Sequence, residues 1–157
     1  MNKYNCCIIG HRTINETEKL KRKLFAAIES LIADKGVDTF LFGSQSRFND
    51  LCYELVTALK EKHPNIKRVY VRAEFPHIDD SYRSYLLERY EDTYFPESLL
   101  HAGKAVYVER NFEMIRKSQH CLIYYDATAA PNKRKSGTKI ALSYAIAQKK
   151  EIILFPE

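Results

Sequence analysis

Several features that would assign the protein to a special structural class are missing from its sequence. No apolar run approaches the ~18 residues that a membrane-spanning helix requires. Residues 1–4 do not have the shape of a signal peptide, and there is no internal repeat, linker or low-complexity tract. These absences favour a soluble cytoplasmic protein without a membrane partner, in which residues 1–157 form a single domain.

The sequence also has no cysteine spacing that indicates a metal site. Its four cysteines are Cys6, Cys7, Cys52 and Cys121, and no Cys-x-x-Cys or Cys/His pair with zinc-ligand spacing occurs. We therefore expect reduced thiols in the core of a cytosolic protein, with Cys6 and Cys7 on opposite faces of one strand. No bound metal and no cofactor are predicted.

The composition is that of an ordinary globular domain, with 45% hydrophobic and 29% charged residues, which excludes a disordered, collagen-like or coiled-coil chain. The net charge of +5 would suit nucleic acid. However, the basic residues are concentrated in residues 19–23 and 133–135, and such runs are typical of solvated surface. No nucleic-acid-binding motif accompanies them, so we do not expect nucleic acid as the partner.

Short apolar runs alternate with amphipathic segments along the chain. The predicted strands are residues 6–9, 39–42, 68–71, 120–124 and 151–154. The predicted helices are residues 17–35, 47–62, 82–90, 108–117 and 138–148, whereas residues 93–104 show no clear period. The alternation favours parallel strands joined by helical crossovers. The predicted fold is a Rossmann-like three-layer α/β/α sandwich with a mainly parallel five-stranded sheet.

Glycine, hydroxyl and arginine side chains recur where the predicted strands end. In sheets of this kind, ligands bind beyond the carboxyl ends of the strands. The residues at the first three ends are Gly10, His11 and Arg12, then Gly43, Ser44, Gln45, Ser46 and Arg47, then Arg72, Ala73 and Glu74. Their recurrence predicts a site for an anionic small molecule at this edge, although each group taken alone also suits an ordinary surface turn.

A Ser136-Gly137-Thr138 turn opens the last predicted helix. Backbone N–H groups at a helix start are unpaired and attract phosphate, but the same residue types also favour a plain helix cap. Arg110, on the helix before the fourth strand, could add a bidentate contact to the anion. The alternative for Arg110 is an exposed ion pair with Glu113, three residues further along.

At these residues the chain resembles the SLOG superfamily, the Rossmann-like fold shared by the Lonely-Guy (LOG) phosphoribohydrolases and DprA-type DNA-binding proteins. Within it, the small YpsA-like proteins are the most similar in pattern. LOG enzymes carry a Glu-Arg-Lys helix before a strand and a Pro-Gly-Gly-x-Gly-Thr-x-x-Glu turn after it. Here Glu109, Arg110 and Asn111 match the helix, with Asn111 in place of lysine, and Gly137 and Thr138 match the Gly-Thr.

The resemblance implies a nucleotide-like ligand, such as an NAD- or ADP-ribose-like molecule or a nucleoside phosphate, and a role as a sensor. In LOG enzymes the arginine and the terminal glutamate serve N-glycosidic cleavage. The glutamate position falls on Ala141, whose side chain we expect to face the bound sugar. Alanine has no carboxylate and the Pro-Gly-Gly is absent, so binding without cleavage is the leading expectation.

Two alternatives remain open at the level of sequence. The protein could be a nucleotide N-glycosidase or deoxyribosyltransferase in which Glu74, Glu109 or Asp126 supplies the carboxylate, or a DprA-like protein that binds single-stranded DNA. The aromatic-rich residues 82–95 are expected to pack, although a tyrosine among them could cover a base. The sequence does not fix the oligomeric state, and a homodimer is one option.

Overall fold

The computed structural model of the protein describes residues 2–129 and 137–156. Within them, one sheet of six parallel strands forms the centre of the fold. The strands are β1 Asn5–Gly10, β2 Thr39–Phe42, β3 Lys67–Val71, β4 Asp92–Tyr94, β5 His120–Tyr124 and β6 Glu151–Phe155. Their spatial order is β4-β3-β2-β1-β5-β6.

Helices connect successive strands. The α-helices are α1 Glu18–Ala33, α2 Arg47–Lys60, α3 Asp80–Arg89, α4 Val106–Arg116 and α5 Gly137–Ala147. Short 3-10 turns occur at Asn2–Tyr4, Glu97–Leu99, Gly103–Ala105 and Ala127–Ala129. The side chains of Thr17, Ser46 and Asp79 cap the first three α-helices by accepting a backbone N–H bond from the first turn. Among the residues described, no helix has the length and apolar character needed to cross a bilayer.

Apolar side chains cover both faces of the sheet, which is why its strands are almost continuously hydrophobic. On one face, α1 and α2 pack through Leu24, Ile28 and Val56 onto Cys6 and the other side chains of that face. On the other face, α4 and α5 pack onto the side of the sheet that contains Cys7. The expected placement of the two adjacent cysteines on opposite faces is therefore confirmed.

The predicted α/β fold with a parallel sheet flanked by helices is confirmed, but the predicted number of strands is wrong. The sixth strand is β4, which lies at the edge of the sheet beside β3. It has only three residues and Thr93 alone among them is buried. Because an edge strand this short has no apolar run, hydrophobic periodicity does not detect it.

The strand order places a reversal next to the central strand. From β1 the chain adds β2, β3 and β4 on one side, then returns to add β5 and β6 on the other side of β1. The carboxyl ends of β1 and β5 are in register, with Gly10 opposite Tyr124. A crevice at such a reversal is where parallel α/β sheets bind ligands.

The four cysteines are all free and buried. Burial raises the pKa of the Cys6 and Cys52 thiols, and a hydrogen bond with Cys121, together with burial, raises the pKa of Cys7. Because the thiolate is the reactive form, we expect Ellman's reagent to label no cysteine in the native protein and all four after unfolding in guanidinium. Rapid stoichiometric labelling of native protein would contradict this packing.

Candidate functional site

A cavity of about 720 Å³ lies at the carboxyl edge of the sheet, within the range of roughly 300–1,000 Å³ that small-molecule sites occupy. It is bordered by the ends of β1, β2 and β3, by α3 and α4, and by the start of α5. Fourteen of the candidate residues from the sequence line it: Gly10, His11, Arg12, Gly43, Ser44, Gln45, Ser46, Arg72, Ala73, Glu74, Arg110, Asn111, Gly137 and Thr138. Ser136 lies outside the described residues.

Arg47 is not among the lining residues of this cavity. Its guanidinium makes a two-pronged contact with the Glu16 carboxylate, at 2.5 Å and 2.7 Å, and a longer contact of 3.4 Å with Glu54. The hydrogen bond from Arg47 lowers the pKa of Glu16. The side chain of Arg47 therefore connects α2 to the segment before α1.

Arg110 lies in the second turn of α4 and is buried, with 6% of its surface exposed. Nη1 donates to the backbone carbonyl of Gly43, and Nε makes a long contact of 3.4 Å with Asn111 Oδ1. Nη2 has no partner among the described residues, and none of their carboxylates forms an ion pair with this guanidinium. Burial lowers the pKa of Arg110, but an arginine keeps its charge in proteins.

The surface ion pair considered for Arg110 is not formed, because Glu113 contacts Arg116 instead, at 3.2 Å. Among the described residues, the nearby carboxylate of Glu74 attracts Arg110 but forms no ion pair with it. A buried cation without a close ion-pair partner is costly.

Gly43 makes the position of Arg110 sterically feasible. A Cβ on Gly43 would lie 2.7 Å from Cδ of Arg110 and 2.8 Å from Sδ of Met114. Real Cβ atoms do not approach neighbours this closely, so any side chain at position 43 would displace the arginine. The glycine at the end of β2 is thus explained by the close approach of a side chain from α4.

Arg72, at the end of β3, is a second buried cation on the cavity wall, with 7% of its surface exposed. Its Nη1 donates to Thr93 Oγ1 at 3.0 Å and its Nε to the Phe75 carbonyl at 3.2 Å. It forms no ion pair with any carboxylate in the part of the chain that the structure describes. Burial, then repulsion from Arg83, lowers its pKa. The sequence placed Arg72 at a strand end of the predicted anion site, and the structure adds that its guanidinium is buried.

The charge of the cavity wall is predominantly positive. Arg12 adds an exposed third guanidinium, and among the described lining residues Glu74 is the single carboxylate. Glu74 accepts a hydrogen bond from the Tyr107 hydroxyl, and this bond raises the pKa of Tyr107. Three guanidiniums around one carboxylate favour an anionic ligand.

His11 joins the loop after β1 to the loop after β5. Its Nε2 accepts a hydrogen bond from the Asp126 backbone N–H at 2.9 Å, and its ring packs against Tyr124 and Tyr125. An accepting Nε2 leaves the proton of the neutral ring on Nδ1. His11 therefore borders the cavity with its Nε2 already hydrogen-bonded to the protein backbone.

In two of the predicted anion loops, a residue has a structural role in packing or helix capping. A Cβ on Gly10 would lie 2.3 Å from the Phe48 ring, so this glycine is required by packing. Ser46 accepts from the Asn49 N–H at 3.0 Å and so caps α2. At the start of α5, by contrast, a Cβ on Gly137 would meet nothing within 4 Å among the described residues.

The expectation that Ala141 faces the ligand is wrong. Ala141 is 1% exposed and belongs to the core cluster between α5 and the sheet. The start of α5 borders the cavity through Gly137 and Thr138. One turn further along α5, at Ala141, the helix packs against the strands of the sheet. Of the three substitute carboxylates suggested by the sequence, only Glu74 lines the cavity.

Aromatic side chains line the end of the cavity beside β3 and α3. They are Tyr70, Phe75, Tyr82 and Tyr107. Burial raises the pKa of Tyr70, and the Tyr107 ring lies 5.7 Å from the Arg110 guanidinium. Apart from Tyr82, which falls in the aromatic-rich stretch, sequence reasoning did not identify these residues.

The contact between Gly43 and Arg110 yields a prediction about stability. Gly43→Ala places a methyl group within 3 Å of Arg110 and Met114, and overpacking of this kind should lower the free energy of unfolding by about 1–3 kcal/mol. Urea denaturation measures the change. The control is Gly137→Ala, whose added methyl would meet no described atom within 4 Å and which should stay within about 0.5 kcal/mol of wild type. Equal stability of the two variants would contradict the described packing.

Metal chemistry has no candidate site in the described ranges, where no group of three or more His, Cys, Asp or Glu side chains could hold an ion.

Comparison of the chain with protein-family models finds no match, and comparison with curated proteins finds none either. The function is therefore inferred from the residues of the cavity.

Proposed function

We propose that the protein binds a nucleotide or nucleotide derivative in the cavity at the carboxyl edge of its sheet. The observation that carries the proposal is Arg110, a buried guanidinium that, within the described residues, forms no ion pair with a carboxylate and has no hydrogen-bond partner at Nη2. A ligand phosphate would supply the missing charge and accept the unused donors. Arginine–phosphate contacts of this type are strong because both partners are ionised.

The start of α5 supports the same assignment. Gly137 and Thr138 line the cavity at the amino end of this helix, where backbone N–H groups and the helix dipole favour an anion. Arg12 approaches from the loop after β1. Together with Arg110, these groups give a phosphate three kinds of donor: a buried guanidinium, an exposed guanidinium and a helix start.

The resemblance to SLOG proteins favours the same proposal. Of the residues that match the family, Arg110, Gly137 and Thr138 come from two helices far apart in sequence and line one cavity, with Asn111 beside them in place of the family's lysine. In this protein they would hold the phosphate and ribose of a nucleotide. We therefore extend the proposal to NAD- or ADP-ribose-like molecules and nucleoside phosphates, bound by a protein that acts as a sensor.

Arg110→Met tests the proposal. Methionine fills a similar volume without charge, so it removes both the phosphate contact and the cost of the buried cation. We expect weaker binding by about 10- to 150-fold, which corresponds to the ~1.5–3 kcal/mol of a charged hydrogen bond. We also expect an unchanged or higher melting temperature. Calorimetric titration with AMP, GMP, CMP, UMP, NAD and ADP-ribose measures the binding.

The matched control is Arg47→Met, because Arg47 is an arginine outside the cavity that contacts Glu16. It should retain wild-type affinity for the same ligand. Equal losses in the two variants would mean that general electrostatics, and not a site at Arg110, governs binding. Failure of wild type to bind any ligand of the panel would refute the proposal.

A second candidate function, cleavage of a nucleotide N-glycosidic bond, is favoured by one observation. Glu74 lines the cavity, and a carboxylate near the sugar could stabilise the positive charge that develops there or activate water. Against this, Glu74 is exposed and its carboxylate is bound to Tyr107. Binding without cleavage is the better-supported function.

Assays of free-base release separate the two functions. We expect wild type and Glu74→Gln to release base from nucleoside 5′-monophosphates at the same background rate, because no carboxylate is committed to the chemistry. The control is Glu109→Gln, since Glu109 does not line the cavity. Release by wild type that Glu74→Gln alone lowers by about 10²–10⁴-fold would establish the enzyme instead.

A further inference from the structure

We infer that the β3–α3 end of the cavity binds the planar base of the nucleotide by stacking on Phe75, with Tyr82 as its neighbour. This inference rests on the proposed function and specifies how the ligand is oriented. It is carried by the backbone conformation of Phe75, by the arrangement of the aromatic rings and by their position relative to Arg110 and the start of α5.

Phe75 has an unusual conformation for its residue type. Its φ is +60°, in the left-handed region that bulky side chains rarely adopt. Its ring is nevertheless 57% exposed, so burial of the side chain does not compensate for the strain. The carbonyl of Phe75 is held by Nε of Arg72 at 3.2 Å. A strained turn that presents an exposed aromatic ring at a cavity is typical of a ligand contact.

Tyr82 provides a second ring at the same end. It lies in the first turn of α3, where its N–H donates to the capping Asp79 carboxylate at 2.8 Å. The rings of Phe75 and Tyr82 meet edge to face, with centroids 6.1 Å apart and an interplanar angle of 78°. Tyr82 in turn lies nearly parallel to Tyr85, at 6.2 Å and 15°. Tyr82 thus supports the Phe75 ring from the side.

These rings do not belong to the core. Leu86 is the buried residue of α3, and both Phe75 and Tyr82 are absent from the core clusters of the sheet. Packing of the core therefore does not explain them. A base accounts for an aromatic surface of this kind, because every base has a flat face that stacks on such rings.

The separation of the two ends of the cavity fits a nucleotide. The aromatic end follows β3, Arg110 lies at the end of β2 through its bond to Gly43, and α5 packs against β1 and β5. Strands in a sheet are about 4.8 Å apart, so, measured across the sheet, Arg110 is about 5 Å and α5 about 10 Å or more from the β3 end. A base at Phe75 would leave the phosphate at Arg110 and Gly137.

The test compares a ligand with a base and the same ligand without one. Calorimetry would measure the affinities of ribose 5-phosphate and of the best-binding nucleoside 5′-monophosphate for wild type and Phe75→Leu. Loss of stacking should weaken nucleotide binding by about tenfold, whereas ribose 5-phosphate should bind both proteins equally. Phe75→Tyr should restore nucleotide affinity to within about threefold of wild type. Tyr4→Leu, which removes an exposed aromatic ring elsewhere, is the control and should change neither affinity.

Two results would overturn the inference while leaving the proposed function intact: nucleotide binding that Phe75→Leu does not weaken, or an equal loss of affinity for both ligands. Failure of every nucleotide to bind wild type would refute the proposed function and this inference together. If nucleotide binding depends on Arg110 but not on Phe75, the proposed site stands, but the base does not stack at its aromatic end.

Discussion

The candidate site depends on one contact, the approach of the Arg110 guanidinium to the carbonyl of Gly43. The contact requires a glycine at the end of β2, since a Cβ there would occupy the space of the arginine side chain. It also holds a positive charge at the edge of a hydrophobic sheet, and among the described residues no carboxylate forms an ion pair with it, although Glu74 lies near enough to attract it. Such an arrangement costs stability, and costs of this kind are typical of functional sites.

The rest of the cavity is arranged around that charge. Arg72 gives a second buried cation at the end of β3, and its Nε holds the backbone turn that carries Phe75. Gly137 and Thr138 bring the start of α5 to the opposite end. The exposed aromatic rings of the cavity therefore lie beside β3, whereas guanidiniums occur along its length, at Arg72, Arg110 and Arg12.

The ends of the buried strands could be read from the sequence, because apolar runs and the glycines after them are local signals. That is why Gly10 and Gly43 could be named as candidates, whereas Arg110 was named for its helix before the fourth strand and its match to the LOG motif. The burial of Arg72 and the strained backbone of Phe75 could not be predicted, because both arise only when segments distant in sequence meet in the fold. The side chain of Ala141 was expected at the ligand because the sequence does not show where along a helix the packing against the sheet begins. The strand β4 was missed because its three residues carry no periodic pattern.

Native mass spectrometry of the freshly purified protein, alone and mixed with millimolar nucleotides, tests the central claim most directly. We expect wild type to carry one nucleotide or nucleotide derivative per chain, released on denaturation and identified by its mass, and Arg110→Met to carry none. Wild-type protein that carries no nucleotide under either condition, or an Arg110→Met variant that carries as much as wild type, would contradict the account.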